Sequence, residues 1–136
     1  MKVAIICLFI LIWFPILLAW TTGYFRKVQL GSIDNNNPRA QYAKLQDVGE
    51  RLVAAQTNTW EAIIIYMASI LVVFLAGVDP SYMVLPCIAF VICRVLYIAA
   101  YAANQGILRT LIYSVGVICC FYMFYMANNP ALYGGI

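Results

Sequence analysis

The sequence predicts an all-α integral membrane protein, a four-helix transmembrane bundle. Three observations carry this. Of 136 residues, 65% are hydrophobic and only 10% charged, an apolar share that a soluble domain of this length has too little interior to hide. Four apolar runs approach or exceed the roughly 20 residues a helix needs to cross the hydrocarbon layer. The runs also lack the period-two alternation of barrel strands and are too long for them. One domain over residues 1–136 is expected, with helices at about 3–24, 40–76, 81–103 and 107–127.

The first run, Val3–Tyr24, follows a basic start at Lys2. A cleaved signal peptide is the alternative. No small-x-small cleavage site follows, and Trp20, Tyr24 and Phe25 suit an interfacial aromatic belt, so a membrane helix is the better reading. The connection after it holds Asp34-Asn35-Asn36-Asn37-Pro38-Arg39, which is turn chemistry. Ala40–Glu50 is expected to be helical and to run straight into the second apolar run, Leu52–Ala76. Val78-Asp79-Pro80 is a tight turn, with Pro80 near the start of the third run, Tyr82–Ala103. Asn104-Gln105-Gly106 turns the chain into the fourth, Leu108–Ala127. Pro15 and Pro86 fall inside helices, which membrane bundles tolerate.

Basic residues set the expected orientation. Arg26, Lys27, Arg39, Lys44 and Arg51 lie between the first two runs, and Arg109 emerges on the same side. The positive-inside rule places the 26–51 connection in the cytoplasm and both termini opposite. Topology thus accounts for the small net charge of +3, and no nucleic-acid partner is expected. The chain has no histidine, and its cysteines (Cys7, Cys87, Cys93, Cys119, Cys120) all fall within apolar runs without CxxC spacing. They read as small buried hydrophobes, not as a disulfide framework or metal ligands.

Two ionisable residues stand out. Glu61 and Arg94 lie deep inside the second and third runs, where a lone charge costs about 2.5–3.5 kcal/mol on the mildest insertion scale. Arg51, Asn58 and Glu61 share one face of a helix at i, i+7 and i+10; Arg94, Tyr97 and Tyr101 share another at i, i+3 and i+7. Short connections make consecutive helices antiparallel neighbours, so Glu61 and Arg94 are at similar depth and are expected to pair. Taken alone, that pair suits a structural tie between helices. Arg51, Asn58, Tyr97 and Tyr101 form a polar cleft towards the cytoplasmic end, though an interfacial arginine and belt tyrosines fit the same spacing. Arg109 is placed to lean over its mouth, and a guanidinium beside a thiol favours the thiolate. Tyr113, Gly116 and Cys120 continue along its helix face, Gly116 as a close-packing position.

These residues resemble a known family. Asn36-Asn37-Pro38-Arg39 through Arg51-Leu-Val-Ala-Ala-Gln-Thr-Asn58-Thr-Trp-Glu61, then Arg94-Val-Leu-Tyr97-Ile-Ala-Ala-Tyr101 and Arg109, are similar to the membrane-associated proteins in eicosanoid and glutathione metabolism (MAPEG). The closest resemblance is to small bacterial members, which implies a bacterial inner membrane. The resemblance implies a homotrimer that binds glutathione as co-substrate between subunits near the cytoplasmic end. It places Arg51, Asn58, Glu61, Arg94, Tyr97 and Tyr101 on the glutathione cleft and Arg109 as the catalytic arginine that stabilises the thiolate. The implied activity is a glutathione-dependent transferase or peroxidase acting on lipophilic electrophiles or lipid hydroperoxides, which enter from the bilayer. The chain departs from the pattern at Ala54, where many glutathione-using members carry a second arginine, and at Ala62, a tyrosine or asparagine in some. Arg39 or Lys44 would have to supply the missing carboxylate contact. Those departures favour the alternative, a non-catalytic lipid- or partner-binding protein on the same scaffold. A small transporter or channel subunit is a third reading. It is disfavoured by the single charge pair at mid-membrane depth and the lack of a broken-helix pair.

Overall fold

Four helices long and apolar enough to cross a membrane dominate the computed structural model, which describes residues 1–135. Helix α1 spans Lys2–Leu30, the short α2 Pro38–Tyr42, α3 Asp47–Leu75, α4 Val84–Ala102 and α5 Gly106–Asn128. Single 3₁₀ turns at Pro80–Met83 and Pro130–Tyr133 precede α4 and follow α5. Among the described residues there are no strands.

Packing joins α1 to α3 and α4 to α5 as the two most extensive pairs, and contacts of α5 with α3 and of α4 with α1 and α3 close the bundle. The main core is built from Cys7, Leu11, Ile63, Tyr66, Phe90, Met123 and their neighbours. Tyr66 is fully buried, stacks on Phe90 with ring centroids 4.8 Å apart, and donates its hydroxyl hydrogen to the Ala4 carbonyl at 3.3 Å. That bond spares a buried phenol the cost of an unmade partner. Cys7, Cys87, Cys93 and Cys120 are buried and Cys119 half-buried, all as free thiols. Large apolar side chains cover the outside, among them Phe9, Trp20, Ile64, Phe74, Leu85 and Phe121. A surface this greasy is stable only against lipid or another chain.

Helix α1 runs past the aromatic belt to Leu30 rather than ending near Tyr24. No breaker intervenes before Gly31, where the backbone turns left-handed. The extra turns carry Arg26 into a buried hub. Its Nε donates to the Gln41 side-chain oxygen at 2.7 Å, another of its nitrogens donates to the Asp34 carbonyl, and its guanidinium lies over the Tyr42 ring. Gln41 also accepts from the Asp34 N–H at 2.9 Å and donates to the Ser32 carbonyl at 3.0 Å. The expected turn forms at Asp34, whose Oδ1 accepts from the N–H groups of Asn36 and Asn37.

The expected continuous helix from Ala40 into the second run is broken between α2 and α3. Leu45 is buried there, Gln46 is extended, and Asp47 takes φ of 52°. The Gln29 side chain holds the break from α1, donating to the Gln46 carbonyl at 3.2 Å and accepting from its N–H at 3.0 Å. Gly49 follows at a close approach, where a Cβ would lie 3.3 Å from the Phe25 Cβ. Contacts with α1 thus override the local helical preference.

Candidate functional site

The site grows from the last three turns of α4. Arg94 is 1% exposed and, among the described residues, pairs with no carboxylate. Its guanidinium carbon sits 4.3 Å from the Tyr97 ring centroid, 5.4 Å from that of Tyr113 and 5.8 Å from that of Phe90. Such negative ring faces stabilise a desolvated cation by about 2 kcal/mol or more. One guanidinium nitrogen donates to the Asn58 side-chain oxygen at 3.1 Å, and Arg94 Nε is buried without a partner.

The expected Arg94–Glu61 pair is therefore corrected. Asn58 stands between them, with its amide 3.5 Å from a Glu61 oxygen, and Glu61 itself is exposed. The cause is the rotation of α3. Its small residues Ala55, Thr59 and Ala62 pack inward, which turns Asn58 towards α4 and Glu61 to the outer surface. Gly116 lets α5 approach closely, where a Cβ would stand 3.6 Å from that of Cys93. This brings Tyr113 over Arg94.

Two adjoining cavities open above Arg94, at the end that carries the 26–51 connection. The outer one, of about 300 Å³, is lined by Glu50, Arg51, Ala54, Tyr101, the turn Asn104–Gly106 and Arg109. The inner one, of about 310 Å³, is lined by Asn58, Tyr97, Tyr101, Arg109, Thr110 and Tyr113. Tyr101 and Arg109 belong to both, with the Arg109 guanidinium carbon 4.3 Å from the Tyr101 ring centroid. Tyr97 meets Tyr101 edge-on at 5.5 Å. Arg51 is tied down through Nε, which donates to the Ala102 carbonyl at 3.3 Å, one of the acceptors left open at the end of α4.

Five of the seven expected residues, Arg51, Asn58, Tyr97, Tyr101 and Arg109, thus line these two adjoining cavities. Arg94 lies beneath them, and Glu61 lies outside. Glu50, Thr110 and the 104–106 turn enter them unannounced by the helical spacing. The signal for them was positional, since the α4–α5 connection and the start of α3 meet at the same end of the bundle. Ala54 lines the outer cavity, whereas Arg39 lines a separate one of about 330 Å³ with Tyr42, Gln56 and Trp60. Within one chain, then, Arg39 does not replace the side chain absent at position 54, and Lys44 is exposed.

Chemically, the outer cavity offers two guanidinium groups, a carboxylate and turn amides, a set suited to a ligand with carboxylates and an amine. The inner cavity is aromatic and less polar. No curated protein matches the chain. The model of the MAPEG family matches residues 3–128, nearly the whole length. Four apolar helices, the polar ladder on α4 and this match agree: the chain is a multi-pass membrane protein and belongs to the MAPEG family.

Proposed function

We propose that the protein is a glutathione-dependent transferase or peroxidase for lipophilic electrophiles or lipid hydroperoxides. The observation that carries this reading is the shared wall of the two cavities. Arg109 stands between a compartment fitted to carboxylates and an aromatic compartment lined by Tyr97, Tyr101 and Tyr113. A tripeptide thiol gripped by Arg51 and the 104–106 turn would present its sulfur at Arg109. An ordinary thiol titrates near pH 8.5, and a fixed guanidinium beside it shifts the balance towards the nucleophilic thiolate. With an electrophile the sulfur forms a new bond to carbon as the leaving group departs. With a hydroperoxide, two thiols supply two electrons and two protons, giving a disulfide, an alcohol and water. The bilayer concentrates the apolar partner beside the site.

The assembly proposed with it is a homotrimer. Glu61 supports this, being exposed beside the exposed Trp60 and Ile64, ten residues along α3 from Arg51, or about 15 Å. A carboxylate at that depth is costly against acyl chains and calls for a neighbouring copy. The basic 26–51 connection supports a cytoplasmic site in a bacterial inner membrane.

Ala54 favours a second reading, a non-catalytic lipid- or partner-binding protein, because it removes one cation from the outer cavity. Turnover of a standard electrophile with glutathione separates the two. Loss of turnover in Arg109→Ala, with the oligomer intact, is the expected result. Unchanged turnover removes Arg109 from the mechanism, and no turnover in the wild type favours the binding protein.

A further inference from the structure

We propose that Tyr101 is the positioning residue for Arg109, and that it acts through the face of its ring and not through its hydroxyl. Arg109 leaves the first turn of α5 half-exposed, and among the described residues no hydrogen bond or carboxylate fixes its guanidinium. Glu50 lines the same cavity without forming an ion pair with it. What the guanidinium does have is the Tyr101 ring at 4.3 Å.

That ring is a firm surface. On one side it packs against the cluster of Leu18, Leu52 and Ala55. It meets Tyr97 in a T-shaped contact, and Tyr97 in turn lies under the buried Arg94. Two phenol rings therefore stand between two guanidinium groups from the cavity mouth inward: Arg109, Tyr101, Tyr97, Arg94. The inner end is locked by burial and by Asn58. The outer end holds a mobile cation in register by stacking alone, which suits arginine because its plane is large and weakly hydrated. A guanidinium held this way keeps its N–H edges open to a ligand, whereas one held by a carboxylate would have them occupied.

The test is chemical modification of the ligand-free protein in detergent micelles with phenylglyoxal, read residue by residue by mass spectrometry. Tyr101→Leu removes the stacking face, and the modification rate at Arg109 rises about fivefold, the factor a cation–π contact of this size represents. Tyr101→Phe keeps the face and restores the wild-type rate. Arg39, exposed and in a separate cavity, gives the control rate. Arg94 reports folding, since it stays unmodified while buried. If Tyr101→Leu exposes Arg94, Tyr101→Met repeats the test with a longer side chain. An Arg109 rate unchanged in the folded Leu or Met variant overturns the proposal, as does a Phe variant as reactive as Leu. A second readout, the pH midpoint of the glutathione thiolate absorbance, rises in Tyr101→Leu. Only this readout rests on the function proposed above, so the modification rates fail or hold independently of it.

Discussion

At the scale of single residues, the molecule solves the problem of a buried cation without an anion. Arg94 is enclosed by three aromatic rings and one amide oxygen. A lysine cannot reproduce the planar stack, whereas an apolar side chain of similar length removes the charge with its cost. Arg94→Lys is therefore expected to lower stability by about 2 kcal/mol, and Arg94→Met by less, both read as thermal unfolding in detergent. The ladder of Arg94, Tyr97 and Tyr101 was legible in the sequence because one helix face is fixed by spacing alone. Its partner was not. Asn58 and Glu61 lie close together on α3, and which of them faces α4 depends on how Ala55, Thr59 and Ala62 pack. Helical periodicity gives the face, and packing gives its rotation.

At the scale of elements, the four long helices follow from hydropathy, and their ends follow from contacts between helices. The break before α3 illustrates this. It is held by Gln29 reaching from α1, by the buried Leu45 and by the close approach at Gly49; of these only Gly49 is a weak helix former, and it lies just inside α3, past the break. Gly49→Val crowds Phe25 across the α1–α3 contact and is expected to cost about 1–3 kcal/mol of stability. The loops titrate as well. Backbone N–H donors from Asn36 and Asn37 lower the pKa of Asp34, and the Ser81 N–H does the same for Asp79. Because the folded values lie below the ordinary carboxylate range, their contribution is full above that range and is lost as pH falls through the lowered values. The protection of the Asn36, Asn37 and Ser81 amides against hydrogen exchange, measured relative to their intrinsic rates, should fall on acidification. Asp34→Asn should abolish that response at the first two amides only.

At the scale of the whole molecule, a single chain presents a half-finished surface. The outer face of α3 sets Glu61 among exposed Trp60, Ile64 and Met67, and the cavity holding Arg39 opens on a neighbouring side. Native mass spectrometry from detergent micelles is expected to give a trimer, and a stable monomer would leave that carboxylate without a cover. The central claim concerns the paired cavities at the loop end. Its most direct test is a density map of the protein in lipid nanodiscs with glutathione added. The tripeptide should occupy the space between Arg51 and Arg109, with its sulfur beside the Arg109 guanidinium and its carboxylates towards Arg51 and the 104–106 turn. Cavities left empty at saturating glutathione, or a ligand bound with its sulfur away from Arg109, would contradict the account.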